Sequence, residues 1–220
     1  MKKNPVGFGI ILLILCFNIK PFFAGRPLST EDAGVSSKGV FSIEMGIDYT
    51  SQNNKYKDFS LLFVPIYGVS ERIETSIEFP YTFITNEADT GEGLNDINLV
   101  IKTLIIPERE YMPTFLLKTQ VKLSNGDERK GLGSGDEDIG FAGVLTKQLG
   151  AFIVHANLGY TFVGKKERPN SFKNYILYGF AFEYSINEKL KIVGEIYGES
   201  DLHSDIGSFQ HHILNPLPIK

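Results

Sequence analysis

Cysteine, tryptophan and long apolar runs are what this chain has least of. The only cysteine is Cys16, no tryptophan occurs, and beyond residue 25 no apolar stretch approaches the roughly 20 residues a membrane helix needs. Helical membrane spans are therefore not expected. Cys16 lies within Val6–Phe17, an apolar run preceded by Lys2 and Lys3 and closed by Phe22-Phe23-Ala24-Gly25. That is the order of a secretory signal peptide: basic start, apolar stretch too short to span, small residues at the cut. Leu15 and Phe17 flank the cysteine with bulk where lipid attachment needs small residues, so a lipoprotein is disfavoured. Cleavage near Ala24 or Gly25 then leaves a chain without a thiol, which excludes disulfides, cysteine metal sites and thiol nucleophiles. Basic residues are also in deficit, 22 against 26 acidic for a net charge of −4. Removing residues 1–24 takes Lys2, Lys3 and Lys20 and no acid, so the remainder is more acidic still. Nucleic acid is not an expected partner of such a chain.

What is present is a period of two. Along Val40–Tyr49, Phe41, Ile43, Met45, Ile47 and Tyr49 alternate with Ser42, Glu44, Gly46 and Asp48, which places the two sets on opposite faces of one strand. The pattern recurs over residues 59–67, where Leu62, Val64 and Ile66 blur it, and over 72–83, 96–106, 114–123 and 152–162; residues 139–147, 175–184 and 189–199 read as further strands, and Gly (22), Phe (17) and Tyr (10) stand in the proportions of β-structure. About nine strands are visible. The connections run long and hydrophilic, then short, in alternation. This is the topology of an antiparallel up-and-down barrel with tight turns at one rim and long loops at the other. The strand lengths match the 9–11 residues of a tilted membrane strand, and Tyr49, Tyr67, Tyr81, Phe83, Phe162 and Tyr184 fall at strand ends, where interfacial aromatics belong.

In such a barrel the apolar face meets lipid and the polar face lines a wet lumen. The residues expected to line it are Glu44, Asp48, Arg72, Glu74, Glu78, Asp96, Lys102, Lys118, Lys122, His155 and Asn157. Their mixed signs favour pairing across strands and a narrow conduit, since width grows with strand number. A soluble β-sandwich that binds a ligand could carry the same charges on a solvent face, and it stands as the alternative.

No cofactor, catalytic or metal residue is assigned. The segment Gly126–Asp138 lacks the Gly-Lys-Ser/Thr of a phosphate cradle and leads into a strand, not a helix. Its acids miss calcium-loop spacing, although Asp127, Asp136, Glu137 and Asp138 could hold a cation weakly, and a flexible surface loop is expected. His155 would serve a barrel hydrolase only with a nucleophilic serine from another strand, and no Gly-x-Ser-x-Gly elbow occurs. His203, His211 and His212 sit in a tail that disorder explains as well as metal binding.

Several stretches resemble one family. They are Arg26-Pro-Leu-Ser-Thr-Glu-Asp-Ala-Gly34, Tyr67–Glu74, Leu123–Asp127 with Gly131–Gly135, and Ala156–Tyr160 with Gly164. In order and spacing they are similar to the MetA-pathway of phenol degradation proteins, over roughly residues 26 to 200. The resemblance implies an outer-membrane β-barrel, a passive channel for small, including aromatic, solutes. Its partners would be outer-membrane lipid and the barrel-assembly machinery. A closed structural or adhesive barrel without transport is the first rival reading. The expected organisation is a signal peptide (1–24), an N-terminal periplasmic segment (25–39), barrel strands (40–200) and a tail (201–220). Members of the family usually continue through further strands to an aromatic terminus. An odd strand number and the ending Pro218-Ile219-Lys220 therefore read as a truncated or frameshifted barrel.

Overall fold

The computed structural model describes residues 28–52, 56–86, 90–164, 174–187, 190–201 and 212–213. The signal segment, His203 and His211 lie outside them. Nine long strands follow one another as antiparallel neighbours: β1 (Phe41–Gln52), β2 (Tyr56–Ser70), β3 (Ile73–Asn86), β5 (Asn98–Ile106), β6 (Thr114–Lys122), β7 (Asp138–Leu149), β8 (Phe152–Val163), β9 (Tyr175–Asn187) and β10 (Leu190–Asp201). Two short strands join them. β4 (Thr90–Leu94) pairs back onto β3, and β11 (His212–Ile213) pairs with β10. The described residues thus form one all-β sheet that curls into a half-barrel, with strand order equal to chain order except at β4.

The alternation decides which way each side chain points. Met45 and Ile47 on β1 are 80% and 75% exposed, and Leu158 on β8 is 66% exposed. The concave face holds the polar partners: Glu74, Ser76, Thr82, His155, Thr161, Glu183 and Glu195 are all buried. Buried apolar residues share the inner face with them, among them Val64, Ile66, Val100 and Ala181, and Leu116 and Val144 cluster there with Ala33 and Val35. Two packed sheets would bury their apolar faces against each other. Here the single sheet turns its apolar face outward.

Ring contacts tie neighbouring strands on that outer face. Phe59 and Phe83 stand opposite each other with centroids 6.0 Å apart, as do Phe152 and Tyr184 at 4.5 Å. Such cross-strand pairs fix register as well as adding stability.

Three connections differ from the reading of the sequence. In the hydrophilic stretch 53–58, Tyr56, Lys57 and Asp58 are strand, since Thr50 pairs with Asp58 and Ser51 with Lys57, so the β1–β2 hairpin is longer than its composition suggests. The acidic stretch 85–95 contains β4, whose two glycines hide its pairing from any hydrophobic pattern. The segment 124–138 is not the open loop expected. Asp96 accepts the backbone N–H groups of Gly126 and Ser134, each at 2.9 Å, and Leu132 is buried beneath. A buried carboxylate that gathers backbone donors orders the loop around itself. At the opposite rim, Glu108 accepts the Gln148 N–H at 3.0 Å and pairs with Lys147 at 3.0 Å, fastening the β5–β6 connection to β7. The Gln148 hydrogen bond, followed by that of Lys147, holds the Glu108 carboxyl below its ordinary value.

Candidate functional site

The concave face is not an open trough. Residues 28–38 cross it in irregular backbone, and each successive residue group is fastened to a different strand. The Ser29 and Thr30 N–H groups donate to the two carboxylate oxygens of Glu195 on β10, both at 2.9 Å. Asn157 on β8 brackets the Glu31 backbone: turned to suit its surroundings, its amide accepts the Glu31 N–H at 2.6 Å and donates to the Glu31 carbonyl at 3.1 Å. Ala33 N–H donates to Thr146 Oγ1 on β7 at 2.9 Å, and Ser36 N–H to Glu74 Oε2 on β3 at 2.6 Å. An irregular segment has no strand ladder to satisfy its backbone, and here these side chains supply the partners.

Glycine on the sheet makes room for this crossing. A Cβ on Gly179 would lie 2.8 Å from Thr30 Oγ1, and one on Gly68 would run into the Ser37 carbonyl.

Charge converges at the centre. The register sets Glu74, Lys102 and Lys118 side by side across β3, β5 and β6. Between the two lysines sits Glu31, one oxygen 2.7 Å from Lys102 Nζ and the other against Lys118 Nζ. Burial pushes the Glu31 carboxyl up, but Lys118 and then Lys102 outweigh it and hold the pKa at about 2. The segment divides the concave space in two. A cavity of about 420 Å³ lies toward β6–β10, walled by Lys118, Gln120, Ala142, Leu177 and Tyr178, and another of about 470 Å³ lies toward β1–β6. Glu31 and Lys118 border both.

The residues singled out from the sequence part company. Glu74, Lys102, Lys118 and Asn157 hold the crossing segment. Lys122 pairs with Asp138 and lies 3.9 Å from Asp96, under the 124–138 loop. Glu78 accepts from Asn98 Nδ2 at 2.8 Å, while Glu44 and Asp48 lie on the polar side of β1 and are exposed. Arg72 lies in the two-residue turn between β2 and β3 and is exposed there. Asp127 caps a 3-10 turn (Glu128–Lys130), accepting the Arg129 N–H. Among the described residues no cluster of His, Cys, Asp or Glu is arranged for a metal ion.

His155 is 1% exposed and stands between Thr146 Oγ1, 2.9 Å from Nδ1, and Glu183 Oε1, 3.4 Å from Nε2. A hydroxyl, an imidazole and a carboxylate in line have the composition of a hydrolytic triad. Thr146 Oγ1, however, is covered by Ala33 N–H, and Thr146 borders neither of the two cavities. The arrangement fastens β7, β8 and β9 to the crossing segment.

Periodicity alone could have found Glu183 and Glu195, which occupy polar-face positions of β9 and β10. Glu31 carries no such signal, since it lies in a segment without a repeat.

The model of a protein family described as "Putative MetA-pathway of phenol degradation" matches residues 24–214. No curated protein matches the chain.

Proposed function

Because the chain belongs to the family described as a MetA-pathway of phenol degradation, a description that names a pathway and no reaction, we propose a role in solute entry. The protein is an outer-membrane β-barrel, reached through a cleaved signal peptide, and acts as a passive conduit for small solutes, aromatic ones included. The observation that carries this reading is the reversal of polarity. A sheet that exposes Met45, Ile47 and Leu158 while burying Glu74, His155 and Glu183 is matched to lipid outside and polar contents within. In water the same sheet would present an apolar patch far beyond what a monomer tolerates. The meander, strand lengths of 9 to 15 residues and outward ring pairs at the strand ends support it further.

Mechanistically, diffusion follows the polar concave face, and residues 28–38 narrow the path to the two cavities on either side of Glu31. That crossing segment also favours the rival reading, a closed structural barrel without transport. Liposome swelling with neutral sugars and amides separates them. Protein-dependent swelling, larger when Glu195→Gln loosens the segment, is the expected result. Absence of swelling in both the wild type and that variant would leave the structural barrel.

A further inference from the structure

Glu31 behaves as a ligand that the chain supplies to itself. Lys102 and Lys118 stand directly opposite on β5 and β6, on the concave face. Like charges so placed repel, and burying them without a counter-charge costs far more than the pairing of strands returns. Glu74, opposite Lys102 on β3 and 3.9 Å from its Nζ, balances one of the two charges, so the sheet holds a paired-lysine site with one cation in excess that requires a further anion. Glu31 meets the requirement with one oxygen to each lysine, and among the described residues it is the carboxylate that Lys118 meets. Yet Glu31 is carried by no strand. Its removal would break the hydrogen bonds along residues 29–36, the Asn157 bracket and the packing of Ala33 and Val35 on Leu116 and Val144, and leave the sheet ladder intact.

Beside Lys118 opens the 420 Å³ cavity, and its walls suit an organic body attached to a carboxylate. Ala142 and Leu177 supply apolar surface, and Gln120 supplies an amide. Thr30 and Tyr178 also line it, and Thr30 Oγ1 and the Tyr178 hydroxyl are buried with no hydrogen-bond partner among the described residues. Buried hydroxyls left in that condition carry hydrogen-bonding capacity that movement of residues 28–38 would uncover for a solute.

We propose that the Lys102–Lys118 pair is a binding site for small organic carboxylates, occupied by Glu31 at rest and by the solute's carboxylate when Glu31 is displaced. This rests on the conduit reading, of which it names the preferred solute class. Glu31 then acts as a tethered competitor. It weakens solute binding by the fraction of time it fills the site, and a solute that binds biases the segment toward release.

The test uses the full chain purified in detergent, with butyrate, butyramide and inorganic phosphate as probes followed by ligand-observed NMR. Glu31→Gln should bind butyrate about tenfold or more tightly than the wild type, the competitor having been removed. Butyramide should not bind, and adding Lys118→Gln should abolish the gain. Glu195→Gln, which weakens the anchor at Ser29 and Thr30 without touching either lysine, should give a smaller gain in the same direction. It serves as the second reading should Glu31→Gln fail to fold. Equal butyrate binding in all variants, or phosphate binding as tightly as butyrate, would overturn the assignment. Liposome swelling keeps the two ideas apart. Binding in the expected pattern with no solute entry sinks the conduit and retains the site. Entry through Glu31→Gln without preference for butyrate over butyramide sinks the site and retains the conduit.

Discussion

At the scale of single residues, the interior is held by ion pairs whose partners come from distant parts of the chain. Glu31 is the clearest case. Its carboxyl is depressed to about 2 from an ordinary value of 4.5, so the folded state binds its proton less readily than the unfolded chain. Stability from such a group is complete above pH 4.5, declines as pH falls below that, and is gone once pH passes through about 2. Amide exchange at Ala33 and Ser36 should therefore be as slow at pH 5 as at pH 7, after correction for intrinsic rates, and should lose protection below 4.5. Loss of protection near neutral pH would contradict the Glu31 anchor. Lys122 makes a second case. Lys122→Met would leave Asp138 and Asp96 buried without their cation, a change worth about 3–5 kcal/mol. Urea unfolding in detergent should register it, and a change below 1 kcal/mol, the scale of an exposed pair, would show that these carboxylates are solvated. The sequence made Lys102, Lys118 and Lys122 legible because each holds a polar-face position of an alternating strand. Glu31 was not legible, because the crossing segment has no period and its contacts are non-local.

At the scale of elements, the strands were readable and their connections were not. Alternation of one face over nine strands is a strong local signal, and every long strand lies where that pattern puts it. β4 escaped because Thr90-Gly-Glu-Gly-Leu94 has no apolar face, and the 124–138 loop escaped because its order comes from Asp96, some 30 residues earlier in the chain. The crossing of residues 28–38 follows the same rule, since what places it are glycines on β2 and β9, acids on β3 and β10, Thr146 on β7, Asn157 on β8 and the lysines on β5 and β6. Gly68→Ala tests that placement. The added methyl would meet the Ser37 carbonyl, so the segment must yield while β2 keeps its own pairing. Proteolysis within residues 28–38 should rise several-fold, with the sheet's circular dichroism unchanged. Unaltered proteolysis would mean that the crossing does not depend on this close approach.

At the scale of the whole molecule, the question is which solvent the convex face was made for. Leu158 projects outward from the middle of β8. In a bilayer, Leu158→Arg should destabilise by about 2–4 kcal/mol, as charges near the midplane of a barrel do. On a water-facing sheet the same exposed substitution would change stability by about 0.5 kcal/mol or less. Unfolding titrations in lipid vesicles distinguish the two. The central claim, a barrel that faces lipid with its apolar side and holds its charges within, is tested most directly by gel mobility of the protein from the isolated outer-membrane fraction, with and without boiling. The protein is expected in that fraction, with the unboiled form migrating differently from the boiled one. Recovery in the soluble periplasmic fraction, with one mobility under both conditions, would contradict it.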